Sequence, residues 1–329
     1  MDASVVVICY NEADNIEACL RSLINQTYPR NAFEVIVVDG ESKDNTQSIV
    51  RKYAAAHSNI RLIVEPKKGA AAARNTGLRS AGYGQVAFID ADCEAPSEWL
   101  EKLVKEYKDR SRDDNKLAAV GGKNIPLKEA GPFLKAIGVA LDSFAGSFGS
   151  VQGRQFKRSR YVVSLATLNV LYDRKTLIDI GGYDESLESE AEDADLNFRL
   201  ASAGYTLFFI PESFVWHKMR PTPKKWFKNM FRYGKGRARL LKRYPKMWRV
   251  SFVLPLLFIS AMFSIIFIPF SPIFCLPLFY FPAVAGFSLF QAIRKKTHFL
   301  VFYVMLVYII QHFGYSLGES YGLVNRNVK

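Results

Sequence analysis

Short apolar runs alternate with amphipathic stretches along the first part of the chain. The apolar runs are rich in Val and Ile, as buried strands are, and the stretches between them repeat apolar residues with a helical period. The predicted strands are "SVVVICY", "EVIVVD", "IRLIVE" and "VAFID", and the predicted helices lie near Asp14 to Gln26, near Lys43 to His57 and after Gly69. This alternation predicts an α/β domain with a parallel sheet covered on both faces. Such sheets bind ligands at the carboxyl ends of their strands.

Two long runs without a charged residue follow near the end of the chain. Residues 251–293 and 297–318 contain no Asp, Glu, Lys or Arg. A membrane-spanning helix needs about 20 apolar residues, so these runs predict two to three transmembrane helices. The candidate spans are Phe252 to about Phe270, Ile273 to Ile293 and Phe299 to Leu317. Two alternatives stay open: a re-entrant hairpin around Ser271-Pro272, and a pair of long core helices.

Basic residues concentrate beside these runs. Twelve Lys or Arg and no acidic residue lie between Arg220 and Arg249, which accounts for nearly all of the net charge of +13. Because these residues directly precede a span, we expect their partner to be anionic membrane lipid and not nucleic acid. Apolar residues form a stripe on each side of Gly234 and Gly236, as in helices that lie on a membrane surface. Helices packed on the preceding domain, with their charges in water, are the alternative.

The start of the chain and the basic residues beside the spans favour a cytoplasmic location for the α/β domain. No basic and apolar leader precedes the first strand, so we expect a multi-pass protein of the cell membrane with this domain in the cytoplasm. The cysteines show no C-x-x-C spacing and are interpreted as unpaired packing residues. They are Cys9, Cys19, Cys93 and Cys275. The predicted segments are the cytoplasmic domain (1–217), basic amphipathic membrane-interface helices (218–250) and transmembrane helices (251–329).

The fourth predicted strand ends in two carboxylates, Asp90 and Asp92. Residues two apart on a strand point the same way, so these carboxylates would repel each other without a cation between them. The sequence lacks the glycine-rich phosphate motifs of dinucleotide and Walker sites. A divalent ion held by this pair is therefore the expected means of neutralising a diphosphate. A turn that caps the helix after Pro96 is the alternative.

An acidic segment from Asp184 to Asp195 contains seven carboxylates. A solvated loop is the usual meaning of such a segment, but helix geometry separates its members. With Ser189 as the N-cap, Glu192 would occupy the third helical position of a capping box. Asp195 would pair with Arg199 one turn later.

Asp193 has neither of these structural roles. It shares a helix face with Leu196 and Leu200, which turns its carboxylate toward the core side. An inward carboxylate of this kind is a candidate general base.

Five stretches, in this order, closely resemble the inverting family 2 glycosyltransferases of the GT-A fold. They are "VVVICYNEADNIEACLRSL", "VIVVDGESKDNT", "GAAAARNTGL", "VAFIDADCEAPSEWL" and "GGYDESLESEAEDADLNFRLASAGY". The resemblance covers about Ser4 to His217 and departs from the family pattern at Cys9, where Pro is usual. It implies transfer of a sugar from a nucleotide diphosphate sugar, linked to UDP or GDP, with inversion at the anomeric carbon.

The resemblance also implies roles for the residues at the strand ends. Glu12 resembles the ribose-side contact and Asp39 the contact to the edge of the base. Asp90 and Asp92 resemble the metal motif, with Asp90 also facing the nucleotide sugar and the metal being Mg²⁺ or Mn²⁺.

Further roles fall on residues later in the chain. Arg74 could face the diphosphate or lie on a helix surface. His217 is expected to be a further ligand of the metal or of the diphosphate, with a capped or merely exposed histidine as the alternative. In the family, the second acid of a Glu-Asp pair deprotonates the acceptor, and this acid corresponds to Asp193. Glu192 and Arg158 are expected to bind the acceptor, with a plain solvated loop as the alternative for the segment around Arg158.

Together these features predict transfer of single sugars to a hydroxyl of a lipid-linked saccharide. A lipid phosphate is already ionised at neutral pH and needs no base, so a base favours a hydroxyl acceptor. The alternatives are a polyprenyl-phosphate glycosyltransferase and a non-catalytic module that binds nucleotide sugars. A processive synthase would carry Q-x-x-R-W after the base motif, which this chain lacks. A channel would place ionisable residues inside the spans, where only His312 lies.

Overall fold

The structure, a computed structural model, describes residues 1–127, 129–147, 156–187, 191–219 and 222–325. The chain divides into two compact units. The sheet unit comprises Met1–Leu127 and Val151–Lys218, and the helical unit comprises Lys128–Ser150 and Met219–Lys329.

The described residues of the sheet unit form one mixed sheet. Its strands are β1 (Ala3–Cys9), β2 (Phe33–Asp39), β3 (Ile60–Val64), β4 (Gln85–Asp90), β5 (Cys93–Glu94), β6 (Leu117–Pro126), β7 (Arg160–Val162), β8 (Val170–Asp173) and β9 (Thr206–His217). They lie in the order β3-β2-β1-β4-β8-β6-β9-β5, with β7 paired to β9. The run β3-β2-β1-β4 is parallel, as predicted. Strand β8 is antiparallel to both β4 and β6; its four residues are too few to show a period-two pattern in the sequence.

Helices cover both faces of this sheet, which confirms the predicted α/β arrangement. They are α1 (Ile16–Ile24), α2 (Thr46–Ala56), α3 (Ala70–Ser80), α4 (Trp99–Arg110), α7 (Arg174–Asp179) and α8 (Glu192–Ser202). Successive side chains of β1 enter opposite cores: Val5 and Val7 pack with α1, and Val6 packs with α3. A Cβ added at Gly77 would lie 2.3 Å from Cγ1 of Val6, so α3 needs glycine there to approach β1.

The helical unit contains the remaining helices. They are α5 (Pro132–Leu141), α6 (Phe144–Ser147), α9 (Pro223–Arg243), α10 (Val250–Ser264), α11 (Tyr280–Arg294) and α12 (Val301–Val324). Three stretches in the described residues are long and apolar enough to cross a membrane, in agreement with the predicted runs. They are Val250–Phe267, Pro272–Arg294 and His298–Val324.

The basic stretch before the first span forms one helix, α9, which continues through Gly234 and Gly236. The apolar side chains of Trp226 and Met230 are buried in a core shared with α12. The two helices approach closely, since a Cβ added at Gly318 of α12 would lie 2.0 Å from the carbonyl oxygen of Phe231. The apolar stripe of α9 is therefore used for packing within the helical unit.

Candidate functional site

The carboxyl ends of three adjacent strands bring the predicted acidic residues to one rim of the sheet. The register of β1 places Cys9 beside Asp39 of β2 and Ile8 beside Asp90 of β4. The chain beyond β1 leads directly into Glu12. This rim is where parallel sheets bind their ligands.

Asp39 is fully buried and held by its neighbours. Its Oδ1 accepts hydrogen bonds from the backbone N–H of Ser42 at 2.9 Å and from Nε2 of Gln47 at 2.7 Å. Its Oδ2 accepts from the hydroxyl of Ser42 at 2.5 Å. These bonds fix the carboxylate at the end of β2.

Glu12 is held at the start of α1. Its backbone N–H donates to Oγ1 of Thr46 at 2.8 Å, and its Oε2 accepts from Nδ2 of Asn15 at 2.5 Å. Asn15 in turn accepts from Nζ of Lys218 at 2.6 Å. The end of β9 is thus linked to the loop after β1.

Arg74 joins two carboxylates that lie far apart in the sequence. Its Nη2 lies 3.0 Å from Oδ1 of Asp90, and its Nη1 lies 2.6 Å from Oε1 of Glu192. Its side chain is only 6% exposed, so this is a buried arrangement and not the helix-surface position considered as the alternative. Burial alone would lower the pKa of Arg74, but Asp90 and Glu192 together raise it. The guanidinium is therefore a fixed positive charge between β4 and α8.

The capping box predicted around Glu192 is wrong in the described residues. Helix α8 begins at Glu192, with Ala191 as its N-cap at a left-handed φ of 69°, so Glu192 occupies the first helical position and its side chain binds Arg74. Ser189 lies outside the described residues. Burial raises the pKa of Glu192, the charge of Arg74 opposes this, and the neighbouring Asp193 adds to it. The predicted pair of Asp195 and Arg199 is confirmed at 2.7 Å.

Asp193 lies in the first turn of α8. Its Oδ1 accepts a hydrogen bond from the backbone N–H of Ala194 at 2.7 Å. Leu196 and Leu200 of the same helix are fully buried. Asp193 itself is half-buried. It directly follows Glu192, whose side chain is linked through Arg74 to Asp90 at the end of β4.

Asp92 and His217 meet beyond the end of β4. Nε2 of His217 lies 3.4 Å from Oδ2 of Asp92. The short strand β5 pairs antiparallel with β9 and places Cys93 opposite His217, while the N–H of Lys218 donates to the carbonyl oxygen of Asp92 at 2.9 Å. One ligand atom each of Asp92, Cys93 and His217 lies within 4.8 Å of the others. Oxygen, nitrogen and sulfur donors at this separation suit a divalent ion.

Two features of this donor group differ from the sequence analysis. Asp90 lies outside this group of three and its Oδ1 faces Arg74, so metal binding by Asp90 stays a prediction. Cys93, interpreted as a packing residue, is part of it. It is buried and unpaired, like Cys9 and Cys19, and burial raises the pKa of its thiol.

Arg158 is exposed and lies just before β7. Residues 148–155, which include Arg154, are outside the described part of the chain. Acceptor binding by Arg158 therefore stays a prediction.

The sequence matches two family profiles over most of its length. The profile for "Glycosyl transferase family 2" matches residues 4–123, and that for "Glycosyl transferase family group 2" matches residues 85–311. The chain belongs to glycosyltransferase family 2. The predicted family and the predicted enzyme class are thereby confirmed.

Relatives and solved structures agree with this assignment. The glycosyltransferase AglE of Haloferax volcanii is 32% identical over 238 residues, which cover 72% of this chain and 73% of that relative. A Methanococcus voltae enzyme is 22% identical over 267 residues, which cover 80% of each chain; it is named "Dolichyl N-acetyl-alpha-D-glucosaminyl phosphate 3-beta-D-2,3-diacetamido-2,3-dideoxy-beta-D-glucuronosyltransferase".

A solved structure shares the fold of this glycosyltransferase. It is a mannosyltransferase from Pyrobaculum calidifontis in complex with GDP-Man and Mn²⁺, with a TM-score of 0.62 and 21% identity over 94% of this chain and 86% of that chain. The GT-A fold predicted from the sequence is confirmed, and the apolar helices fit a membrane anchor.

Proposed function

We propose that this glycosyltransferase moves a single sugar from a UDP- or GDP-linked donor to a hydroxyl of a lipid-linked saccharide. The transfer inverts the anomeric carbon, needs a divalent ion and takes place at the cytoplasmic face of the membrane. The observation that carries this proposal is the pair of contacts made by Arg74 with Asp90 and Glu192. These contacts bring the first turn of α8, which contains Asp193, to the rim where β4 ends.

In the proposed reaction Asp193 accepts the proton of the acceptor hydroxyl as its oxygen attacks the anomeric carbon. The bond between that carbon and the diphosphate breaks on the opposite face, so no covalent enzyme intermediate forms. The hydrogen bond from the N–H of Ala194 orients the carboxylate of Asp193.

The donor would lie along the rim between Asp39 and Asp92. A buried carboxylate such as Asp39 can accept from a ring N–H of uracil or guanine, and Glu12 would contact the ribose. Asp92 and His217 would hold the metal, which when bound would neutralise charge on the departing diphosphate. Because both terminal nitrogens of Arg74 contact carboxylates, we assign Arg74 to positioning Asp90 and Glu192.

A hydroxyl acceptor fits the presence of a base. Deprotonation by Asp193 lowers the barrier for a hydroxyl but is unnecessary for a lipid phosphate, which is ionised at neutral pH. The name of the Methanococcus voltae relative describes transfer to a sugar on a dolichyl phosphate. A lipid-linked saccharide held close to the membrane is the acceptor that suits both points.

Anionic lipids are the proposed partner of the basic side of α9. Lys224, Lys225 and Lys228 are exposed, whereas Trp226 and Met230 are buried. The helix would therefore contact lipid headgroups through its charges and not through its apolar stripe. A basic residue near an anionic leaflet contributes about 1 kcal/mol.

The test offers radiolabelled UDP- and GDP-sugars, one at a time, to membranes that contain the full chain. We expect one donor to label the lipid extract, with label lost on chelation by EDTA. Mild acid cleaves the bond between the saccharide and the lipid phosphate. If the labelled sugar was added to a hydroxyl of the saccharide, this treatment releases the label in an oligosaccharide.

Two results would contradict the proposal. Release of the label as a free monosaccharide would identify a lipid phosphate as the acceptor. Full transfer in excess EDTA would exclude the metal.

A further inference from the structure

Cys93 lies beside the two residues proposed to hold the metal. As partners in the antiparallel pair of β5 and β9, Cys93 and His217 point to the same face of the sheet. Asp92 lies in the turn before β5. Its side chain can therefore point to the same side as that of Cys93, although the two residues are adjacent in the sequence. The thiol of Cys93 donates to Oδ1 of Asp92 over 3.8 Å, and Nε2 of His217 lies 3.4 Å from Oδ2 of the same residue.

The two separations from Asp92, one to each of its oxygens, are close to those of atoms that share one metal ion, and the donors of Cys93 and His217 lie within 4.8 Å of each other. Metal bonds of 2.0–2.3 Å to oxygen, nitrogen and sulfur, arranged tetrahedrally, place the donor atoms about 3.3–3.7 Å apart. Cys93 is 1% exposed and packs in an apolar core. Its pairing with His217 and the contact of its sulfur with Asp92 place that sulfur beside the two other donors. Small side-chain movements would bring all three donors to one ion.

We propose that Cys93 is a metal ligand that makes the site select a borderline ion such as Co²⁺ or Zn²⁺ over Mg²⁺. Sulfur and imidazole are poor ligands for Mg²⁺, which prefers oxygen, whereas they bind the borderline ions well. The inference rests on the proposed metal role of Asp92 and His217, and it disfavours Mg²⁺ as the ion at this site.

The test uses Co²⁺ as a spectroscopic probe of the purified full chain in detergent. All proteins carry Cys275→Ser, since Cys275 is the one cysteine that is only partly buried. We expect Co²⁺ to produce a near-ultraviolet sulfur-to-cobalt charge-transfer band that Cys93→Ser removes. We also expect this variant to lose at least about tenfold in its preference for Co²⁺ over Mg²⁺ in competition binding.

Cys19→Ser is the matched control. Cys19 is a buried thiol on α1 whose sulfur contacts the carbonyl oxygen of Asp90, so its removal should leave the band unchanged. Absence of the band in the protein that retains Cys93, or its persistence in Cys93→Ser, would overturn the inference. Neither result depends on activity. If sugar is transferred but the cobalt band is absent, the metal role of Cys93 fails and the proposed function stands. If the band is present but no donor is used, Cys93 is supported as a ligand and the proposed function fails.

Discussion

At the scale of single residues, two aspartates on α8 offer a comparison of catalysis with stability. Replacement of Asp193 by Asn should leave nucleotide binding nearly intact and reduce turnover by about 10²–10⁴, the contribution of a general base. Initial rates of sugar transfer and calorimetric titration with the nucleotide measure the two quantities separately. Undiminished transfer would remove Asp193 from the mechanism.

Asp195→Asn is the control on the same helix. Asp195 is fully buried and pairs with Arg199 at 2.7 Å, and Arg199 also donates to the carbonyl oxygens of Ile180 and Gly182. Breaking a buried pair costs about 3 kcal/mol, so Asp195→Asn should lower the thermal unfolding temperature. Asp193→Asn, at a half-buried position, should leave that temperature nearly unchanged.

The sequence predicted individual site residues better than their partners. The apolar run before Asp90 was enough to place Asp90 at the end of β4, and helix periodicity was enough to pair Asp195 with Arg199. Strand alternation failed at Asp92, which lies in the turn after β4 with its carboxylate near His217, whereas that of Asp90 faces Arg74. The contact of Arg74 with Glu192 joins residues 118 positions apart, and no local pattern reports such a pair. The position of Cys93 was missed for the same reason, because its neighbour His217 comes from a distant strand.

At the scale of elements, the close packing of α9 on α12 depends on glycines. Replacement of Gly318 by Ala should destabilise the helical unit by about 1–3 kcal/mol, since the new Cβ would lie 2.0 Å from a backbone oxygen that cannot yield without moving α9. Thermal unfolding of the full chain in detergent measures this loss.

Gly286→Ala on α11 is the matched control. Nothing lies within 4 Å of a Cβ added there, so this change should be neutral or slightly stabilising. Equal effects of the two substitutions would show that the packing of α9 on α12 does not depend on close backbone contact.

Elements with a strong period were predicted, and those shaped by tertiary contacts were not. The four parallel strands and the long apolar helices follow from composition and alternation. The amphipathic pattern of α9 was also visible, but such a pattern shows that one face will be covered without showing by what. A membrane surface and the face of α12 both suit it, and the structure places α12 there.

At the scale of the whole molecule, α12 differs from the other two apolar helices. Half of the residues in its most apolar stretch are buried, against 11% in the corresponding stretches of the other two helices. A Cβ added at any of three glycines of α12 would contact α9: at Gly314 it would meet Met230, at Gly318 it would meet Phe231, and at Gly322 it would meet Ala238. This part of α12 therefore runs alongside α9. Charged residues are costly in the hydrocarbon region, so we expect α9, and the part of α12 that is packed along it, to lie outside that region.

The rest of α12 is too short to cross by itself. Residues 301–313 rise about 20 Å as a helix, whereas the hydrocarbon core is about 30 Å thick. We therefore expect α10 and α11 to cross the membrane, so that α11 brings the chain back to the side on which α9 lies, and α12 to stay on that side. Cys275, between the two crossing helices, should then face the opposite side.

Labelling of sealed vesicles with a membrane-impermeant maleimide tests this arrangement. Lys228→Cys on α9 and Tyr321→Cys on α12, each combined with Cys275→Ser, place single reactive thiols at exposed positions, while the other native cysteines are buried. We expect these two thiols to react from the same side and native Cys275 to react only from the other side. If Tyr321→Cys instead reacts together with Cys275, α12 crosses the membrane and its packing along α9 is not kept in the bilayer.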